Sequence, residues 1–366
     1  MVSGMIERLD EVDWSGLTHA YGAADDVPEL IRGLLSPDAG QREEIRHELY
    51  SCIAHQGTRY PASARAVPFL LALVADPATP DRGDLVDFLE FVATGTGQRY
   101  WKRYPIAEER AAGSSPALDA YDAVADAVPL FVTLLGDTDA EVAGPAAQAL
   151  AVFPEHADRT APALAAVAAD DDSPVALVTT ALLALGAIVP IGTPEHDALL
   201  RRRARDDDEN VRWAASLTVC RLRRPGLLPA ATAELRRWAV RLAARDDHSA
   251  PWYGLREELA LDELAALDPD GHHARLQPIL DRMLGETPSS NWHNHLLSIL
   301  DRAGLLVRAD PDRAPVPVEA LHPAQRQLVE RLCERPDIFA ADRVLMPLAW
   351  AGLPDTLAGL RQYAGR

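Results

Sequence analysis

The chain of 366 residues is poor in several things that would define a class of protein. Its three cysteines, Cys52, Cys220 and Cys333, are too widely separated for a disulfide framework or for metal-ligand spacing, so a reducing cytoplasm is the simplest home. Aromatic residues make up only 6% of the chain, and β-branched residues rarely alternate with polar ones, which argues against a sheet protein. There is one lysine, Lys102; every other basic side chain is arginine. No nucleophile elbow, phosphate-binding glycine loop, Cys-x-x-Cys pair or HExxH is present, and this lowers the expectation of an enzyme. The opening MVSGMIERLDEVDW has no basic segment leading into an apolar stretch, so no signal peptide is expected. Residues 175 to 192 lack charge for eighteen positions, but Thr179, Thr180, Gly186 and Pro190 suit a buried helix better than a membrane span.

Alanine, leucine and acid are what the chain does have. The formal net charge is −19, which repels nucleic acid and anionic membranes. Residues 196 to 245 run the other way, with twelve arginines against six acids. Aligning the chain on itself reveals a recurring unit: a proline-led apolar helix, an acidic turn, and a second helix with small residues on one face. Units start at VPELIRGLL (27), VPFLLALVA (67), VPLFVTLLG (128), APALAAVAA (161) and HDALLRRRA (196). Pro28, Pro68, Pro129 and Pro162 are expected near the starts of first helices, where a missing amide hydrogen costs nothing. Asp38, Asp76, Asp137, Asp139, Asp172 and Asp208 are expected to cap or charge-complement second helices. Ala146, Ala147, Ala149, Ala181, Ala184, Ala214 and Ala215 would let those helices approach closely. A lone hairpin cannot bury its apolar face, so such units must stack.

The pattern resembles HEAT repeats, specifically the bacterial HEAT-like group that includes phycobilisome-lyase-type repeats. DVPELIRGLLSPD, HQGTRYPASARAVPFL and the closing LHPAQRQLVERLCERPDIF with WAGLPDTLAGLR are similar to a bacterial HEAT-repeat family. The resemblance implies an all-α, right-handed α-solenoid of helical hairpins with an irregular helical C-terminal part, and it brings no catalytic motif. On this reading residues 1–225 form the array, interrupted by an insertion at 94–126 that lengthens the spacing between units from about 40 to about 61 residues, and residues 226–366 continue it as one solenoid. HEAT-like alkylpurine DNA glycosylases host catalysis on such an array but depend on a strongly basic groove; the acidic balance here makes nucleic acid an unexpected partner.

Four regions hold candidate sites. In HQGTRYPAS, His55, Arg59 and Tyr60 either wall a ligand pocket or staple one repeat to the next, with Gly57 as a left-handed helix stop. In RYWKRY, Arg99, Lys102 and Arg103 would hold an anionic group while Tyr100, Trp101 and Tyr104 stack on a planar one; alternatively the aromatics anchor the insertion. Arg212, Ser216 and Arg223 share a helical stripe that either meets a partner or is neutralised by Asp206, Asp207, Asp208 and Glu209. Trp252 and Trp292 either floor a pocket or fill the end of the array. A metal centre at Asp247, His248 and His293 is a minor alternative to turn and cap chemistry, and neither metal nor cofactor is expected. The function expected is a cytoplasmic scaffold that binds a protein or peptide on a concave face. The alternative is a small-molecule enzyme of lyase or cyclase type with its pocket between the insertion and the inner helices.

Overall fold

The computed structural model describes residues 2–95, 104–239, 256–267, 317–339 and 345–366, together with Leu296, Leu300 and Leu305. The chain divides into two compact units, one made mostly of residues 1–234 and the other mostly of the remainder. Both are helical among the described residues. The single exception is a pair of two-residue strands, β1 (Thr18–His19) and β2 (Gly22–Ala23), in antiparallel register with His19 opposite Gly22. No helix among the described residues is long and apolar enough to cross a membrane.

The first unit begins with α1 (Val2–Glu7) and the β1–β2 hairpin, then proceeds by helical hairpins: α2 (Val27–Gly33) with α3 (Ala39–Ile53), and α4 (Pro61–Ala75) with α5 (Arg82–Thr94). The segment after α5 contributes α6 (Ile106–Ala112) and α7 (Pro116–Ala125), and α7 packs on both α4 and α5. Hairpins resume with α8 (Val128–Leu134) and α9 (Ala140–Leu150), α10 (Ala157–Ala169) and α11 (Val175–Ile188), and α12 (Asp197–Arg203) and α13 (Glu209–Arg221). The second helices form a run: α5 packs on α9, α9 on α11, and α11 on α13. This is where the small residues are needed. Ala146, Ala147, Ala149, Ala181, Ala184, Ala214 and Ala215 are all buried, so adjacent helices meet across methyl groups rather than long side chains. Most of the uncharged segment 175–192 forms α11 (Val175–Ile188), buried from Leu177 to Ile188.

Asp38, Asp139 and Asp208 accept hydrogen bonds from the first amides of α3, α9 and α13, as the acidic turns suggest. Asp172 does not cap α11, whose N-cap is Pro174, and Asp76 instead closes α4. Two proline expectations are corrected. Pro28 and Pro129 sit in the first turns of α2 and α8, but Pro68 and Pro162 are interior to α4 and α10. Helix α4 starts seven residues before Pro68, because Pro61 occupies its first turn and the Tyr60 amide donates to the Ser63 hydroxyl at 2.7 Å. The cost is a missing amide donor within each helix, for the carbonyls of Ala64 and Asp158.

Arginines fasten the turns of successive hairpins. Arg42 pairs with Asp81 at 2.6 Å and donates to the Ser36 carbonyl at 2.9 Å. Arg82, buried, donates to the Val74 carbonyl and pairs with Asp137, each at 2.9 Å. Arg203, also buried, reaches the Ala168 and Asp170 carbonyls and pairs with Asp171 and Asp206.

In the second unit, Pro323–Cys333 packs against Leu357–Tyr363, and Arg361 donates to the Cys333 carbonyl at 3.2 Å. The Arg256 guanidinium lies 5.8 Å from the Trp238 ring centre.

Candidate functional site

The richest cluster of chemistry among the described residues lies at the end of α3, where the β1–β2 hairpin meets the HQGTRYPAS connection. The hairpin is pinned by its backbone: the Ala20 amide donates to the Cys52 carbonyl at 3.0 Å. This holds His19 against Asp26 and Cys52, whose ligand atoms all lie within 4.8 Å of one another. His19 and Cys52 are buried, whereas the Asp26 side chain is half exposed.

The hydrogen bonds fix the His19 tautomer. The Tyr21 amide donates to Nδ1 at 3.0 Å, so Nδ1 is the acceptor nitrogen, and Nε2 carries the proton it shares with the Asp26 carboxylate at 2.9 Å. Asp26 stands at the N-cap of α2, yet its side chain makes no capping bond there and turns to His19 instead. Burial, then the charges of Asp26 and Glu48, push the Cys52 thiol up to about 11. Both nitrogens of His19 are engaged and the thiol stays protonated, so the trio is not an activated nucleophile with its base.

Tyr21, 68% exposed, bridges this trio to the connection: its hydroxyl lies 3.3 Å from His55 Nδ1, and its ring meets those of His19 and His55 edge-on. Gln56 and Gly57 both have positive φ, which reverses the chain within three residues of the helix end. The Ser63 hydroxyl donates back to the Ile53 carbonyl, one of the last in α3. Tyr60 is half-buried and acts here through its amide.

Beyond Gly57 the connection touches the far end of α5. A side chain on Gly57 would strike the Gly95 carbonyl, and one on Gly95 would strike the Arg59 guanidinium. Arg59 lies across both glycines, donating to the Gly57 carbonyl and hydrogen-bonding the Tyr104 side chain. Tyr104 is buried and stacks on Tyr121 at 5.3 Å with the rings 10° from parallel; Tyr121 in turn packs on Phe153. This placement matches the anchoring alternative for Tyr104. Arg99, Tyr100, Trp101 and Arg103, like Lys102, lie outside the described residues, as do Trp252, Trp292 and the Asp247, His248 and His293 set.

Arg212 is far along the chain from this cluster and is occupied locally, donating to the Asp206 and Asp207 carbonyls at 2.7 and 2.8 Å. The stripe it was expected to share is broken: Ser216 is buried, and Arg223 falls past the end of α13 with a φ of 53°. Arg224 pairs with Asp197 through two nitrogens, at 2.6 and 2.8 Å. Arg203, Arg212 and Arg224 of the arginine-rich segment are therefore engaged by neighbouring backbone carbonyls and acids.

A second feature is a cleft of about 590 Å³ at the hairpin-turn edge, between the α4–α5 and α8–α9 turns. Asp84, Asp87, Asp139 and Glu141 line it beside Arg82 and Pro145. Burial, then the charges of Asp84 and Glu141, raises Asp87 to about 6.

Sequence reading singled out His55, Tyr60 and Tyr104 but missed His19, Tyr21, Asp26 and Cys52. The missed residues are brought together by a strand pair too short to show alternation.

No family model and no curated protein matches the chain. Among solved structures, the crystal structure of an engineered protein aligns over 93% of this chain and 97% of its own, at 16% identity and a TM-score of 0.29. A likeness that faint establishes no common fold.

Proposed function

We propose that the chain is a HEAT-like helical-repeat scaffold, a right-handed α-solenoid in its first unit, that binds a protein or peptide segment. The observation that carries this reading is the uninterrupted packing of α5 on α9, α9 on α11 and α11 on α13, since such a run of like helices offers one extended surface rather than an enclosed pocket. A net charge of −19 and the acid-lined cleft favour a basic segment as the partner. The trio at His19 supplies no activated nucleophile, so it adds no weight to a lyase or cyclase.

The test is a peptide array probed with the purified chain, followed by titration of the best binders. Saturable binding of basic peptides is expected, weakening as salt rises from about 50 to 300 mM and weakening again in a Glu141→Gln, Asp84→Asn variant. If no peptide binds saturably, and a metabolite collection instead raises the melting temperature, the scaffold reading is wrong.

A further inference from the structure

We propose that His19 Nε2, the Asp26 carboxylate and the Cys52 thiolate form a binding site for one thiophilic divalent cation of the zinc class, coupled to a peptide flip in the β1–β2 turn. Three observations lead there. One nitrogen, one oxygen and one sulfur donor lie within 4.8 Å of one another, and that donor set suits zinc rather than magnesium or calcium. Two of the three are buried and pre-positioned, because the Ala20 amide ties the hairpin to the Cys52 carbonyl. Asp26 gives up the capping role its position offers and directs its carboxylate at His19.

The His19 tautomer sets the condition for binding. A metal-ligating histidine needs a lone pair on the ligating nitrogen and a proton on the other, donated to an acceptor. With the hydrogen bonds described above the proton is on Nε2, and Nδ1 faces the Tyr21 amide, a donor. Binding therefore requires the histidine proton to move from Nε2 to Nδ1 and the Ala20–Tyr21 peptide to turn over. That peptide is the central one of the turn between His19 and Gly22, the unit that rotates when a β-turn exchanges type. The rotation takes the Tyr21 amide away and presents the Ala20 carbonyl to Nδ1–H, the acceptor that a ligating histidine requires. It leaves the Ala20 amide on the Cys52 carbonyl. The ion displaces the Cys52 thiol proton, which leaves to solvent, so one proton is released per ion bound. Three protein donors leave a coordination position for water.

The experiment is a Co²⁺ titration of the full-length chain in metal-free buffer at pH 8. One ion per chain and a near-ultraviolet thiolate-to-cobalt absorption band are expected. Cys52→Ser should abolish the band, and Asp26→Asn should weaken binding by at least about tenfold without changing the far-ultraviolet circular dichroism. Absence of the band in the wild-type chain at saturating cobalt, or its persistence in Cys52→Ser, overturns the site. Should Cys52→Ser fail to fold, the double variant Cys220→Ser, Cys333→Ser keeps Cys52 as the sole thiol: a band there supports the site, and its absence overturns it. On Zn²⁺ saturation the Tyr21 amide resonance should shift while the Ala20 amide stays protected from exchange; a stationary Tyr21 amide would overturn the flip.

Discussion

The α5–α9 and α11–α13 interfaces are built to one plan and treat a buried polar group in opposite ways. Between α11 and α13, the Thr218 hydroxyl donates to the Leu182 carbonyl at 2.7 Å, and Gly186 of α11 faces Thr218 and Arg221 of α13. Between α5 and α9, Glu90 is 2% exposed; its Oε2 accepts from the Gln148 amide at 2.8 Å, and its Oε1 has no hydrogen-bond partner among the described residues. Burial, partly offset by Gln148 and reinforced by the charge on Asp87, raises the Glu90 carboxyl to about 8. A buried hydroxyl finds its acceptor within the neighbouring helix, whereas a buried carboxyl stays protonated. The Thr218 contact is therefore indifferent to pH and the Glu90 contact is not.

The largest expected effect breaks that asymmetry directly. Glu90 binds its proton more tightly folded than unfolded, so its contribution to stability is fully present below the ordinary value of 4.5 and is lost as pH rises to about 8. The loss is on the order of 4 kcal/mol. Denaturant midpoints of the first unit should fall across that window, and Glu90→Gln should flatten the decline and leave the protein more stable at pH 8. A wild-type profile with no decline would remove the distinction between the interfaces.

Next in size is the contrast between two glycines. A β-carbon on Gly83 would lie 1.7 Å from the Glu141 carbonyl oxygen, so Gly83→Ala must push α5 from α9 and should cost about 3 kcal/mol. Thr218→Val should cost about 1 kcal/mol by removing a hydrogen bond without leaving a charge behind. Smallest is Gly186→Ala, whose β-carbon would meet Thr218 and Arg221 at 3.3 to 3.4 Å; gained helix propensity offsets mild crowding, and the change should stay within about 1 kcal/mol. Thermal melts of the three variants rank them, and a Gly186→Ala loss equal to that of Gly83→Ala would show that both interfaces are equally tight.

The helical hairpins were legible in the repeat because their alanines recur wherever one second helix meets the next, and burial at those positions follows from size alone. Proline position was legible only where nothing upstream competed. At Pro68 the Tyr60 and Ser63 exchange starts the helix early, and local capping overrode the register read from the repeat. Glu90 gave no warning, since an acid in the pattern DFLEF reads as a solvent-facing helix position. The His19, Asp26 and Cys52 trio was invisible for a different reason. Its members are separated by 7 and 26 positions, and what unites them is a backbone bond from a turn amide to a helix-end carbonyl, which has no signature in residue type.

The arginine fastenings make the hairpins of the first unit non-interchangeable. Arg42 needs the aspartate of the following hairpin, Arg82 needs Asp137 in the one after the insertion, and Arg203 reaches back to Asp171. Three of the hairpins thus wear a connector cut for one neighbour, two reaching forward along the chain and one reaching back. Shuffling, duplicating or excising a hairpin would leave a sheltered guanidinium facing a turn without its acid, so the order of the units is itself written into their side chains.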